Sequence, residues 1–295
     1  MRVGVIVPQG WTGEYDGWEP ARAWARTVAL AHEAEGLGFD SLWMFDHVET
    51  EPVPTDEITF EAFVGLSALA AETVRVRLGH LVLCAGYRNP ALVAKMISTL
   101  DVVSGGRAEL GLGAGWKEDE YRAYGWPFPT ISARMEALED ALEITTRMLV
   151  PGRATYAGPT ASVHDAINVP HGLQEPRVPI LVGGNGPNRT WRLAARFADE
   201  LNLDWFTPEE LAAARPVIDS RCAEVGRDPA TLRLSVNIGR AASGVEGAPR
   251  VDLLRRYVDA GADRVMTLVR AITGDDGALE RFADDCLAAG CELDG

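Results

Sequence analysis

The sequence predicts an α/β fold, a (β/α)8 TIM barrel in which eight parallel strands close into a cylinder inside a ring of helices. Short β-branched and apolar runs alternate with segments of helical period along the whole chain, which is typical of parallel sheets covered by helices. The length of 295 residues suits one such barrel. A doubly wound open sheet is the weaker alternative, because the repeats occur without a dinucleotide-binding fingerprint.

The first half of the chain contains four strand–helix units. Each strand is a short apolar run bounded by turn formers or polar residues, and each helix carries apolar residues at helical spacing. The predicted strands cover residues 2–7, 40–45, 74–84 and 107–112, and the predicted helices cover residues 20–36, 59–72, 90–103 and 132–149.

The second half repeats this alternation after one interruption. Residues 152–179 lack a helical period and are rich in proline. This predicts a hairpin-like insertion after the fourth helix, at about residues 150–178, within a single domain of residues 1–295. The remaining strands are predicted at residues 180–182, 200–203, 232–238 and 264–269, and the helices at 188–197, 208–225, 251–260 and 277–289.

The composition argues against several classes of function. A formal net charge of −15 disfavours nucleic acid or an anionic membrane as a partner. The four cysteines form no CxxC pair and no histidine lies at metal-ligand spacing, so we expect neither a disulfide scaffold nor a metal site. The chain starts directly with a strand and contains no apolar run of membrane-spanning length, so we expect a cytoplasmic protein.

The most informative stretch is residues 104–117, where a turn and a strand precede a run of alternate glycines. Glycines at this spacing let the backbone approach a flat or anionic ligand and turn its N–H groups outward as a nest. We therefore predict that this run binds a phosphate or a ring, with Lys117 as the nearby cation. The alternative is a loop that only needs several residues with positive φ. The predicted ligand-binding residues are Gly113, Ala114, Gly115 and Trp116.

A second glycine-rich stretch, Gly183-Gly184-Asn185-Gly186, lies between the fifth predicted strand and the following helix. Free N–H groups and the helix dipole at such a place bind phosphate without a charged side chain, and Arg189 can add a cation. The alternative is an ordinary helix N-cap by Asn185 or Asn188. Because the two stretches follow consecutive strands, we predict that they hold one phosphorylated cofactor together.

In a barrel of this type the active site forms from the loops after the strands. His47 is the only one of five histidines at such a strand end, where it can exchange a proton or hydrogen-bond a ligand ring; capping of the loop is the alternative. Asp46 beside it either orients His47 or caps the next segment. Cys84 lacks a neighbouring base and is expected to be a packing residue. Further candidates at strand ends are residues 9–11, Asp204, Trp205, Asn237 and Arg270.

Tryptophans near the predicted rim of the barrel can stack on a flat ligand. Trp43, inside the second predicted strand, is instead expected to be a packing residue. The tryptophans near the rim are Trp11, Trp116, Trp126 and Trp205.

Taken together, these stretches resemble the luciferase-like monooxygenase superfamily, in particular its branch that uses the deazaflavin coenzyme F420. The matching segments are residues 38–43, 46–48, 87–92, 105–121, 124–125 and 178–184. The resemblance implies a barrel with an insertion after the fourth helix. It also implies a non-prolyl cis peptide near Leu81 and Val82, which backs the central ring of the deazaflavin. In the same way, the two glycine-rich stretches meet the cofactor phosphate, and His47 is the family histidine after the second strand.

One departure from the family limits the chemistry. Members that oxidise sugar phosphates or alcohols carry a glutamate directly after the glycine run and a tryptophan four residues after the histidine. This chain has Trp116 and Glu51 at those positions. We therefore do not expect that dehydrogenase reaction.

The predicted function is hydride transfer between F420 and a small organic substrate, with His47 as proton donor or acceptor. An FMN-dependent monooxygenase that activates dioxygen on the same fold is the alternative. A third hypothesis is a deazaflavin-binding protein without turnover. The resemblance also implies a homodimer.

Overall fold

The computed structural model describes residues 1–242, 244–269 and 272–294. Its strands are β1 (Arg2–Ile6), β2 (Ser41–Met44), β3 (Arg77–His80), β4 (Leu83–Cys84), β5 (Ala108–Gly113), β6 (Arg153–Ala157), β7 (Ser162–Ile167), β8 (Ile180–Gly183), β9 (Glu200–Asp204), β10 (Arg233–Asn237) and β11 (Arg264–Thr267). Parallel strands follow one another in the order β3-β2-β1-β11-β10-β9-β8-β5, and the pairing of β3 with β5 closes the ring. β4 continues β3 alongside β5. The predicted eight-stranded barrel is confirmed.

Helices lie between the barrel strands and cover the outside. They are α1 (Pro20–Gly36), α2 (Ala62–Glu72), α3 (Pro90–Val103), α4 (Glu118–Ala123), α5 (Ile131–Met148), α6 (Thr190–Phe197), α7 (Pro208–Glu224), α8 (Gly239–Ala242), α9 (Ala248–Asp259) and α10 (Ala278–Ala288), with a 3₁₀ turn at Pro229–Thr231. The predicted helices all form, whereas the short helices α4 and α8 were not anticipated. Helix α2 begins at Ala62 instead of residue 59, because Glu61 is extended and its side chain caps the helix by accepting from the Val64 N–H.

The insertion after the fourth barrel helix, α5, is an antiparallel hairpin of β6 and β7. Asp140 on α5 anchors it, because its carboxylate accepts hydrogen bonds from the Tyr156 hydroxyl at 2.8 Å and from the Thr160 N–H at 2.7 Å. The hairpin-like insertion predicted for this part of the chain is therefore confirmed.

Trp43 fills the interior of the barrel. Its side chain is completely buried, and its indole Nε1 donates to Ser41 Oγ at 2.8 Å. Gly4 and Gly79 on the neighbouring strands provide the room, because a Cβ at either position would overlap the indole. The prediction of a packing role for Trp43 is confirmed. Its apolar neighbours inside the barrel are Ile6, Leu81, Leu181 and Met266.

A cluster of buried charges, the base cluster (Asp40, Glu109, Glu200 and Arg264), closes the N-terminal end of the barrel. Arg264 forms a bidentate ion pair with Glu109, in which Nη1 donates to Oε2 at 2.9 Å and Nη2 donates to Oε1 at 3.1 Å. Its guanidinium also lies 3.3 Å from Glu200 and 2.9 Å from Asp40. Burial alone would raise the pKa of Glu109, but the charges of Arg264 and Arg77 lower it to about 2. At this end of a TIM barrel such features contribute to stability, since the chemistry lies at the other end.

His80, the last residue of β3, lies in the apolar layer between the barrel and α2. Its ring packs on Phe63 with the centroids 4.2 Å apart. The side chain is completely buried, and neither ring nitrogen has a hydrogen-bond partner among the described residues. Burial, together with the positive charge of Arg88, lowers the pKa of His80 to about 3. The imidazole is therefore neutral in the folded protein over most of the pH range.

The neutral His80 is expected to make the protein less stable in mild acid. The unfolded chain binds a proton at this histidine below a pH of about 6.5, whereas the folded chain does so only near its lowered pKa of about 3, so stability falls as the pH falls through this window. When the pH is lowered from about 7 to 5, this residue reduces the free energy of unfolding by about 2 kcal/mol. The free energy of unfolding is measured with urea at pH 7 and at pH 5. In His80→Leu the difference between the two values should be smaller than in the wild type by this amount.

The exposed His164 supplies the control for this measurement, because its ring contacts water before and after unfolding. His164→Gln should keep the pH dependence of the wild type. An equal loss of stability in the wild type and in His80→Leu would contradict the account of His80.

Candidate active site

The third barrel strand is divided at a cis peptide bond between Leu81 and Val82, at the position that the resemblance implied. The strand predicted over residues 74–84 is accordingly two segments, β3 and β4. Leu81 packs inside the barrel with Trp43, whereas Val82 lies against the glycines of β5 and β8. The divided strand thus reaches the C-terminal mouth of the barrel next to both glycine-rich stretches.

The alternate glycines at and just after the end of β5 are crowded by atoms of the third barrel strand. A Cβ at Gly113 would lie 2.6 Å from Val82 Cγ2, and the other two glycines are crowded in the same way. Among the three, only Gly115 has a positive φ, of +76°. The space on the Cβ side of these glycines is therefore filled by protein atoms, and the alternative of a loop that needs several residues with positive φ is wrong for this run. The facing pairs are Gly111 with His80, Gly113 with Val82, and Gly115 with Cys84.

Gly115→Ala is expected to destabilise the fold by about 2 to 4 kcal/mol, because the left-handed backbone disfavours a Cβ and that Cβ would lie on its neighbours. The Tyr121 hydroxyl would be 2.6 Å away and Cys84 Sγ closer still. Gly125 is the matched control, with a φ of +71° and no atom within 4 Å of its Cβ position. Gly125→Ala should cost only about 1 kcal/mol in urea unfolding. Equal losses in the two variants would refute the crowding at Gly115.

The backbone N–H groups that follow β5 are free to bind a ligand. Those of Ala114, Gly115 and Trp116 have no acceptor within the described part of the chain. β5 pairs directly with β8, and a Cβ at either Gly113 or Gly183 would meet the same Val82 side chain. The two glycine-rich stretches therefore lie side by side at the mouth of the barrel, as predicted.

The second stretch is partly engaged by the protein itself. The Gly184 N–H donates to the carbonyl oxygen of Asn202 at 3.0 Å. The Asn185 side-chain amide bonds both the N–H and the carbonyl oxygen of Asp204, each at 2.9 Å. Of the predicted binding residues, Gly184 and the side chain of Asn185 thus have partners within the barrel. Their role is to hold the loop in place.

Helix α6 begins without a side-chain cap. Its N-cap residue is Arg189, so capping by Asn185 or Asn188 is excluded. The backbone N–H groups of Asn185 and Gly186 have no acceptor in the ranges that the structure covers. Free N–H groups beside a helix N-terminus favour an anion, and they lie next to the free groups that follow β5.

Two arginines flank these free N–H groups. Arg134 Nε donates to the Gly115 carbonyl oxygen at 3.2 Å, and Arg189 Nη1 donates to a serine hydroxyl at the start of α5, also at 3.2 Å. Lys117, the cation predicted for this place, is only 5% exposed and forms an ion pair with Glu51. That prediction is wrong, and Arg134 and Arg189 are the basic residues that lie beside these groups.

His47 follows β2, and its imidazole lies among aromatic rings at the mouth. Trp11 stacks on it with the centroids 4.2 Å apart and the planes within 2°, and Trp116 meets it edge-on at 5.6 Å. Its Nδ1 lies 2.8 Å from Glu120 Oε2. When Nδ1–H is donated to that carboxylate, Nε2 has no partner among the described residues. Nε2 can therefore accept a proton in the neutral ring or donate one in the imidazolium.

Glu120 on α4 is the site residue that the sequence did not reveal. It is completely buried, and its carboxylate also accepts hydrogen bonds from the Tyr87 hydroxyl at 2.9 Å and the Val48 N–H at 3.0 Å. Burial raises its pKa, but the hydrogen bond and charge of His47 and the other donors lower the pKa overall. Glu120, and not His47, also caps the loop after β2. A buried carboxylate of this kind fixes which ring nitrogen of a histidine is presented to a substrate.

Asp46 does not orient His47, so the first of its two alternatives is wrong. Its buried Oδ2 accepts hydrogen bonds from the Cys84 N–H and from Arg88 Nη1, both at 2.8 Å. Burial raises the pKa of Asp46 against the opposing charge of Arg88. Cys84 Sγ lies 2.8 Å from the Tyr121 hydroxyl, and burial raises the pKa of this thiol to about 11. Asp46 thus anchors the third strand, and the packing role expected for Cys84 agrees with its surroundings.

The remaining candidates are distributed around the mouth. Gln9 uses both ends of its amide to hold the backbone of residue 45. Asn237 donates to Asp204 Oδ1 at 2.9 Å, and burial raises the pKa of Asp204. Trp205 has a φ of +60°, which is unusual for a bulky side chain. Arg270 lies outside the described residues.

The fold and the site define a TIM-barrel enzyme whose chemistry lies at the C-terminal ends of the strands. Residues 1–272 match the luciferase-like monooxygenase family, so the chain belongs to that family, and the resemblance in the sequence is confirmed. No helix in the described ranges is long and apolar enough to cross a membrane. Within the same ranges, no group of His, Cys, Asp and Glu side chains is arranged to hold a metal ion.

Relatives include enzymes that use F420 and a monooxygenase. An F420-dependent glucose-6-phosphate dehydrogenase of Microbacterium testaceum is 33% identical over 197 residues, covering 66% of this chain and 57% of that protein. The chain thus spans little more than half of that relative. Pyrimidine monooxygenase RutA of Stutzerimonas stutzeri is 26% identical over 294 residues, covering 96% of this chain and 78% of the relative. The structure of an F420-dependent secondary alcohol dehydrogenase with an F420-acetone adduct superposes with a TM-score of 0.81 at 18% identity, covering 98% of both chains.

Proposed function

We propose that this protein is an F420-dependent oxidoreductase that transfers a hydride between the deazaflavin coenzyme and a small organic substrate. The observation that carries the proposal is the set of free backbone N–H groups after the adjacent strands β5 and β8. The F420-dependent relatives support the choice of cofactor. A homodimer and a cytoplasmic location stay predictions from the sequence.

The residues at the mouth fit a phosphorylated, planar cofactor. The free N–H groups of residues 114–116 and of residues 185–186 supply donors for a phosphate. Arg134 and Arg189 add positive charge beside them, which matters in a chain of net charge −15. The segment at Leu81 and Val82 borders the same loops and is the predicted support for the ring.

The coenzyme, when bound, supplies the hydride chemistry. His47 supplies proton transfer at Nε2, as a donor when the ring is imidazolium and as an acceptor when it is neutral. Glu120 holds Nδ1, so that Nε2 is presented at the mouth. Trp11 stacks on one face of this imidazole and Trp116 meets it edge-on.

Fluorescence titration of the purified protein with F420 and, separately, with FMN tests the proposal. We expect F420 to bind at least about tenfold more tightly than FMN. Arg134→Met should weaken F420 binding by about tenfold, because it removes the charge next to the free N–H groups. Arg147→Met, at an exposed position near the other end of the same helix, is the matched control and should bind F420 like the wild type.

An FMN-dependent monooxygenase is the second candidate, because the pyrimidine monooxygenase relative aligns with 96% of this chain. Tight FMN binding without F420 binding would reverse the order of the two candidates. Binding of F420 that Arg134→Met does not weaken would contradict the assignment of the phosphate site.

A further inference from the structure

We propose that the substrate of this site is a neutral, planar compound with a conjugated carbonyl group, held against the indole of Trp116 with its oxygen at His47 Nε2. This inference rests on the proposed function, because it concerns the substrate side of the same cofactor site.

The surface around His47 is aromatic. Trp11 covers one face of the imidazole at 4.2 Å, and Phe45 lies 4.5 Å from Trp11. Trp116 stands edge-on to the imidazole at 5.6 Å, yet 60% of its surface is exposed. An exposed indole beside a catalytic histidine offers a flat apolar face to a ligand, and rings of this size dominate the binding energy of apolar planar groups.

Two cations at this side of the mouth, Lys117 and Arg88, are already held in ion pairs. Lys117 is buried in its ion pair with Glu51. Arg88 is held by Asp46 at 2.8 Å and by Glu61 at 2.7 Å. A carboxylate or phosphate on the substrate would have to displace one of these partners and leave a partly buried charge without its ion pair, which is costly. The substrate side of the mouth therefore favours a neutral molecule.

The carboxylate of Glu120 does not offer a site for a cation either. Glu120 is completely buried and accepts hydrogen bonds from His47, Tyr87 and the backbone after β2. In contrast, His47 Nε2 has no partner among the described residues and remains available for one hydrogen bond with a carbonyl or hydroxyl oxygen. A flat apolar ligand with one carbonyl oxygen therefore matches the exposed indole of Trp116 and the free Nε2 of His47.

Isothermal titration calorimetry of the protein saturated with oxidised F420 tests the inference without turnover. The probes are benzylideneacetone, a neutral aryl enone, and its para-carboxylate. We expect the neutral probe to bind at least about tenfold more tightly than the carboxylate. Trp116→Ala should weaken binding of the neutral probe by about tenfold or more, whereas Trp116→Phe should stay within about threefold of the wild type.

Tyr124 supplies a matched control, because its ring is 51% exposed near the same loop but stacks on Trp126. Tyr124→Ala should bind the neutral probe like the wild type. A carboxylate probe that binds as tightly as the neutral one, or a Trp116→Ala protein with unchanged affinity, overturns the inference. So does the absence of binding by both probes.

The proposed function is tested separately, and it is wrong if F420 itself does not bind in the fluorescence titration. The two probes are then titrated into the cofactor-free protein, where the aromatic surface and the paired charges still predict preference for the neutral compound. The two proposals are thus tested by separate binding constants.

Discussion

Glu120→Gln is expected to lower turnover by about two orders of magnitude while F420 affinity stays close to that of the wild type. The carboxylate accepts Nδ1–H of His47 at 2.8 Å from a completely buried position. Glutamine keeps the shape but removes the charge and turns an N–H₂ group toward donors. The imidazole then loses its fixed orientation.

Turnover is measured by the absorbance of F420 with a panel of enones, ketones and quinones, and the tautomer of His47 by nitrogen NMR of the labelled ring. Glu118→Gln is the matched control, because Glu118 lies on the same helix but pairs with Arg122 at the surface. It should leave both quantities unchanged. If Glu120→Gln keeps full turnover and the same His47 spectrum, the pair has no part in the reaction.

Arg264→Met is expected to destabilise the protein by about 3 to 5 kcal/mol, the usual cost of removing one partner from a buried ion pair. The substitution leaves Glu109 and Glu200 facing each other at the closed end of the barrel, where each is almost completely buried. The chain there offers no other cation that reaches both carboxylates among the described residues. Urea unfolding at neutral pH measures the loss.

Arg233→Met is the control for the base cluster, since Arg233 also contacts Glu200, at 3.1 Å, but its side chain is 40% exposed. That variant should lose about 1 kcal/mol or less, as a solvated pair does. Adding Glu109→Leu to Arg264→Met should restore part of the stability by removing one stranded carboxylate. Equal losses in the two single variants would show that burial does not decide the strength of the cluster.

The barrel architecture could be predicted from local sequence patterns, because strands and helices each have their own spacing of apolar residues and the two alternate along the chain. These patterns were also sufficient for His47 and for the two glycine-rich stretches, which the barrel topology places at one end. The apolar segment around Leu81 and Val82 has no local feature that separates it from an ordinary strand. Only the family resemblance located the cis peptide there.

Pairings between distant segments could not be predicted. Residues 118–120 are three consecutive acids, and nothing in their order shows that Glu120 alone turns inward to His47, which lies 73 positions earlier. Lys117 was predicted to be the cation near the ligand. Its ion pair could not be foreseen, because its partner, Glu51, lies in a polar loop 66 positions away. The glycines of β5 were assigned to a ligand, whereas the side chains that occupy their space belong to the preceding strand.

The position of Val82 has a consequence for how this part of the barrel can evolve. Its two methyl groups would lie 2.6 Å from a Cβ at Gly113 and 2.9 Å from a Cβ at Gly183. A larger residue at position 82 would press on both loops, and alanine at either glycine requires a smaller residue at 82. The three positions are therefore expected to change together among descendants of this chain, so one branched side chain restricts substitution on three neighbouring strands.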